Sequence, residues 1–166
     1  MKGQIHPVRS NEECEAMIAG TYQGVLSMAA ADEPYALPIN HAYVDGRFYF
    51  HCANAGRKLD LIERNPRVTY VISNYYGNSA DRAKAMKCHG QWESIIAEGR
   101  ARIVADDDEI IAGMKTYMAY YGHGDYEHGD DLLGRTRMIV LEVERMSARR
   151  EYDEHKTDYW TWEPEA

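Results

Sequence analysis

The chain has 166 residues, 45% of them apolar and 28% charged, enough for one domain with a proper core. Its formal net charge of −8 argues against general nucleic-acid binding, because an acidic surface repels phosphates. No apolar run approaches the ~20 residues that span a bilayer. The first residues also lack the apolar stretch of a secretory leader, so a cytoplasmic protein is expected.

Ser10-Asn11-Glu12-Glu13 reads as a capping box that starts a short helix through Cys14, Met17 and Ile18, ending near Gly20. Residues 25–29 read as a first strand, followed by a turn at Asp32-Glu33-Pro34, and 35–44 as a second strand. Asp45-Gly46 is a hairpin signal, since a type I′ turn needs positive φ. Residues 47–52 form the returning strand. Residues 56–64 read as a helix stopped by Asn65-Pro66, and 68–73 as a strand. Residues 74–90 carry no clear assignment. Strand character resumes over 93–104, with Gly99 marking a bulge or bend. Asp106-Asp107-Asp108-Glu109 begins a helix to about Tyr121 whose positions Ile110, Ile111, Met114, Tyr117, Met118 and Tyr121 follow helical spacing. A polar loop over 122–134 precedes a last strand at 136–143 and a tail ending in Tyr159-Trp160-Thr161-Trp162. About six hairpin-connected strands with inserted helices predict a mainly β fold, an antiparallel barrel or sheet with peripheral helices. The whole chain, 1–166, reads as one domain with its core over about 20–144 and a C-terminal tail. Cys14, Cys52 and Cys88 are odd in number and lack metal-ligand spacing, which suits a reducing compartment.

Arg57 and Lys58 fall in the first turn of their helix, directly after Gly56. Cations there oppose the helix dipole by roughly 0.3–1 kcal/mol each. Two readings follow: solvated residues partnered by Asp60 and Glu63, or a phosphate held among the cations, with Arg binding as a fork and Lys as a point charge.

Pro38-Ile39-Asn40, Asp45-Gly46-Arg47-Phe48-Tyr49-Phe50-His51, Gly56-Arg57-Lys58 and Asn65-Pro66 together resemble the pyridoxamine 5′-phosphate oxidase-related superfamily of FMN-binding split barrels. Within that superfamily they are most similar to the NimA-like group, named for 5-nitroimidazole resistance. The similarity runs over about 20–143 and includes Ser94-Ile95-Ile96-Ala97-Glu98-Gly99-Arg100-Ala101. The resemblance implies a six-stranded antiparallel split β-barrel that binds FMN at the interface of a homodimer. It also implies that Arg57 and Lys58 hold the FMN phosphate, and that Leu37, Pro38, Ile39, Asn40 and His41 run along the isoalloxazine ring. His51 and Cys52 would approach the ribityl chain and phosphate. Ser94 would take the position from which oxidase relatives direct a Gln at the flavin.

Other candidates keep two readings. His51 is a proton donor or substrate contact, or a structural group at a strand end; His41 is open to the same pair of readings. Cys52 reads as a small buried hydrophobe. The loop with His123, Asp125 and His128 reads as solvated, with no metal site expected. Trp160 and Trp162 either pack the tail or form an aromatic lid over the flavin. The expected function is a flavin-dependent, nitroreductase-like oxidoreductase acting on a small electron-poor molecule, with no nucleic-acid or membrane partner. The alternative is a flavin- or haem-binding storage, sensor or electron-carrier module, with His51 or His41 as an axial haem ligand. Oxidation of pyridoxamine phosphate is disfavoured by the acidic tail, although Arg149 and Arg150 lie just upstream.

Overall fold

The computed structural model describes residues 11–80, 88–151 and 157–162, with side chains described for 11–76 and 92–150. The expected capping residue Ser10 lies outside them. The elements are α1 (Asn11–Ala19), β1 (Gln23–Ala30), β2 (Glu33–Asn40), β3 (Ala42–Val44), β4 (Arg47–Ala53), α2 (Arg57–Arg64), β5 (Arg67–Ala80), β6 (Cys88–Ile103), α3 (Asp107–Tyr120), α4 (Leu132–Arg135), β7 (Thr136–Glu151) and β8 (Thr157–Trp162). All strand pairings are antiparallel, in the order β2-β1-β5-β6-β7-β4-β3, with β8 added to β7. The mainly β architecture and the split barrel are therefore as expected.

Eight strands replace the six read from the sequence for two reasons. The second predicted strand is divided at His41 into β2 and β3, and the tail supplies β8. The long connection read over 74–90 is largely strand, because β5 runs on to Ala80 and β6 starts at Cys88. The last strand, expected to end at Val143, continues to Glu151. The turn between β1 and β2 sits at Ala31-Asp32, with Ala31 at φ 51°, earlier than expected. Asp45 and Gly46 have φ of 50° and 75°, the two positive values a type I′ turn demands.

β2 and β3 are the two ends of the strand order, yet only His41 separates them in the chain. The sheet thus closes through the covalent backbone at His41, without a hydrogen-bonded ladder between its edges. Pro34 and Pro38 on β2 suit that edge position, since proline has no N–H to donate. Opposite the split, β6 and β7 stay paired across a bulge between Glu98 and Gly99. A Cβ on Gly99 would stand 1.9 Å from the Glu142 carbonyl oxygen, so only glycine permits this approach.

The barrel interior is filled by Leu26, Phe48, Phe50, Tyr70, Ile72, Ile95, Ile139, Leu141 and Met146, all buried. A second core lies under α3, where Ile110 and Met114 pack with Val104, Leu132, Met138 and Val140. Residues 138–141 of β7 are buried on both faces as a result. Asp106 caps α3 by accepting from the Glu109 N–H at 2.9 Å.

Candidate phosphate and flavin site

Strand alternation divides the end of β4 between two environments. Phe48 and Phe50 point into the barrel, and Cys52, half-buried, follows them against that core. His51 points to the other face, where its exposed side chain meets the Tyr117 ring edge to face at 4.6 Å. It borders a cleft of about 450 Å³ with Tyr126, Asp131, Arg135 and Thr136. Partial desolvation there lowers its pKa, so the imidazole is neutral around pH 7.

After β4 the chain turns at Gly56, whose φ of 133° only glycine holds without strain, and enters α2. Leu59, Leu61 and Ile62 bury the inner side of α2 and so fix its first turn. No side chain caps that end. The Arg57 guanidinium carbon lies 4.8 Å above the Tyr35 ring of β2, a cation–π contact that orients it. Lys58 is half-buried, and its charge acts on the Cys52 thiol. Burial nevertheless dominates Cys52 and raises its pKa, while Lys58 and Arg137 pull the other way. Cys52 is therefore a protonated thiol at neutral pH, in keeping with its reading as a small hydrophobe.

Among the described residues Asp60 and Glu63 form no ion pair with Arg57 or Lys58; Arg57 is exposed and Lys58 half-buried. Several other arginines are matched: Arg64 holds Glu33 at 3.1 Å, Arg67 holds Glu144 at 3.5 Å, and Arg145 holds Glu98. Two cations at an uncapped helix N-terminus, in a chain of net charge −8, fit a phosphate group.

Leu37 and Ile39 turn half-buried side chains toward the core, while Pro38 and Asn40 are exposed on the outer face of β2. The Asn40 carboxamide oxygen accepts from the Gln23 side chain at 3.1 Å. His41 is fully buried. Phe48 and Tyr70 contact its ring edge-on at 5.3 and 5.4 Å, and Tyr120 at 6.1 Å. That enclosure holds the His41 side chain inside the core, away from the surface. Its N–H donates to the Tyr22 carbonyl at 3.1 Å, and its carbonyl accepts from Tyr121 Oη at 3.0 Å.

Ser94, half-buried, pairs with Ser73 on β5 and with Arg149 on β7. His51 pairs with Met138, eleven residues earlier on β7. At ~3.3 Å per residue, that is roughly 35 Å of strand. The backbone of Trp160 pairs with Ala148, also at the Ser94 end; its side chain lies outside the described residues. The expected site residues therefore form two groups, Arg57, Lys58, His51 and Cys52 at one end and Ser94 and Trp160 at the other, which one chain does not bring together.

Tyr35 under Arg57, Tyr117 beside His51 and Arg137 beside Cys52 were missed by reading the sequence. Tyr35 had a signal in the alternation of Tyr35, Leu37 and Ile39; Arg137 had none, since its neighbours depend on strand register. Cys88 and His89 have side chains outside the described residues, and no cluster of metal-ligating side chains occurs among the described ones. No helix among them is long and apolar enough to cross a membrane.

Comparison with known proteins bears on this geometry. An uncharacterized protein of Rhizobium meliloti (strain 1021) is 30% identical over 93 residues, covering 56% of this chain and 54% of that protein, so the match spans about half of the relative. A candidate 5-nitroimidazole antibiotic resistance protein of Bacteroides thetaiotaomicron shares the fold, with a TM-score of 0.74 and 18% identity over 85% of this chain and 84% of that one. The flavocytochrome Anf3 of Azotobacter vinelandii superposes with a TM-score of 0.74 and 16% identity, over 95% of this chain and 79% of its own. An FAD-binding protein of Mesorhizobium loti gives 0.66 and 20% identity, over 90% and 100%. The sequence profile of the pyridoxamine 5′-phosphate oxidase family matches residues 10–150, nearly the full described chain, and the protein belongs to that family.

Proposed function

We propose that the protein is an FMN-binding flavoprotein that acts as a flavin-dependent oxidoreductase on a small electron-poor molecule, in the manner of the NimA-like group. The observation that carries this reading is the pair of unneutralised cations, Arg57 and Lys58, at the start of α2. Arg57, oriented by Tyr35, would take the phosphate as a fork, and Lys58 would supply a point charge. The edge of β2 from Leu37 to Asn40 would border the ring. His51, neutral and exposed beside Tyr117, is the group placed to exchange a proton with a substrate. When bound, the flavin supplies the electron or hydride chemistry; the protein binds, orients and shields it.

The same reading includes a homodimer with the flavin between subunits. Its support is a row on the outer sheet face, where Pro38, Val25, Val71 and Ile96 stand in register across β2, β1, β5 and β6. Val25 and Ile96 are 37% and 41% exposed, and Ser94 lies on the same face beside them.

The test is direct. Purified protein is expected to carry or take up FMN and to show flavin absorbance; reduction by NADH or NADPH without oxygen, then reoxidation by nitroaromatic acceptors, identifies the oxidoreductase. A colourless protein that takes up no FMN would sink the reading. A flavin that is reduced and reoxidised by oxygen alone would favour a carrier.

A further inference from the structure

We propose that Arg137 is a third ligand of the phosphate held by Arg57 and Lys58, an inference that rests on the flavin reading above. Arg137 stands directly across the β4–β7 ladder from Cys52, whose thiol also feels the Lys58 charge. Its side chain is on the same face of β7 as the interior residue Ile139, at the barrel end covered by α2, where it borders a hollow with Ile62 and Glu63. Residues directly opposite on antiparallel strands share a face, so Arg137 and Cys52 point to the same side of the sheet, and the Lys58 and Arg137 charges both act on the Cys52 thiol.

Arg137 has little to hold otherwise. Its Nη1 makes two contacts at 3.4 Å, to the carbonyls of Leu133 and Thr136, at the outer limit of hydrogen bonding. A guanidinium has five donors, so most remain free for a further acceptor. No carboxylate pairs with it among the described residues; Glu63 borders the same hollow without forming an ion pair. Arg64, Arg102 and Arg145, by contrast, each hold a carboxylate. A half-buried guanidinium with uncommitted donors presents them to an anionic ligand. Phosphate monoesters carry about −1.5 to −2 charges at neutral pH, enough to engage three cations.

The experiment compares FMN with riboflavin, which lacks only the phosphate, in wild type, Arg137→Gln and Arg137→Lys, by flavin fluorescence titration. Arg137→Gln is expected to weaken FMN binding roughly tenfold to a hundredfold, the loss of one charge-assisted contact, and to leave riboflavin binding unchanged. Arg137→Lys should fall between, keeping the charge but not the fork. Unchanged FMN affinity in Arg137→Gln overturns the assignment while the flavin reading stands. Equal losses for FMN and riboflavin also overturn it, because the residue would then serve the fold alone. A wild type that binds neither flavin overturns both readings together.

Discussion

His41 Nδ1 lies 2.8 Å from Tyr70 Oη at the one point where the strand order returns on itself. Tyr70 donates its single hydroxyl proton to the Ile39 carbonyl at 2.9 Å. The imidazole must then donate from Nδ1, which leaves Nε2 as the unprotonated nitrogen, buried and without a partner among the described residues. Protonating it would bury a charge with nothing to accept the new hydrogen bond, and burial holds its pKa at about 4.

His41 should therefore make the fold acid-sensitive. The folded state holds the neutral form, so the unfolded chain binds more protons below the ordinary histidine pKa of about 6.5. This contribution is full above about pH 6.5 and is lost as pH falls toward 4, to the extent of roughly 3 kcal/mol. Urea midpoints at pH 7, 5.5 and 4.5 should fall more steeply for wild type than for His41→Gln. Parallel curves would refute the prediction.

Tyr70→Phe removes the one hydroxyl that serves both the Ile39 carbonyl and His41 Nδ1. Two buried polar groups lose their partner, and the expected loss is about 2–4 kcal/mol. Chemical denaturation at pH 7 measures it, and a loss under 0.5 kcal/mol would contradict the role given to this contact.

Gly99→Ala should cost about 3 kcal/mol, the upper range for forced overpacking, because the added carbon meets the Glu142 backbone rather than a flexible side chain. Thermal unfolding of the variant reads the effect. An unchanged midpoint would mean that β6 and β7 separate there without cost.

Features set by short-range chemistry were legible in the sequence. Asp45-Gly46 makes its turn, the acidic run from Asp106 to Glu109 starts α3, and Gly99 marks the bulge. The break at His41 was not, since residues on either side share strand character and the interruption is set by distant tyrosines. The load of 13 tyrosines, unexplained by composition, finds part of its reason here. Tyr70, Tyr120 and Tyr121 direct hydroxyls at carbonyls of Ile18, Thr21, Tyr22, Ile39 and His41, backbone around the end of α1 and the break between β2 and β3. The extension of β7 was hidden because Glu144, Arg145, Arg149 and Arg150 outweigh the buried Met146 and Ala148.

At the site, Arg57 and Lys58 stood out as cations in an unfavourable place. Their lack of carboxylate partners and the Tyr35 contact depended on the fold. The separation of Ser94 from His51 along β7 was equally out of reach, because register between distant strands leaves no local trace.

The central claim is that these two cations anchor a flavin by its phosphate. Its most direct measurement is the ratio of riboflavin to FMN dissociation constants in wild type and in Arg57→Ala/Lys58→Ala. Loss of two charge-assisted contacts is worth about 3–6 kcal/mol. The account predicts a strong wild-type preference for FMN that collapses toward unity in the double variant, with riboflavin affinity little changed. FMN affinity equal in the two proteins would contradict it.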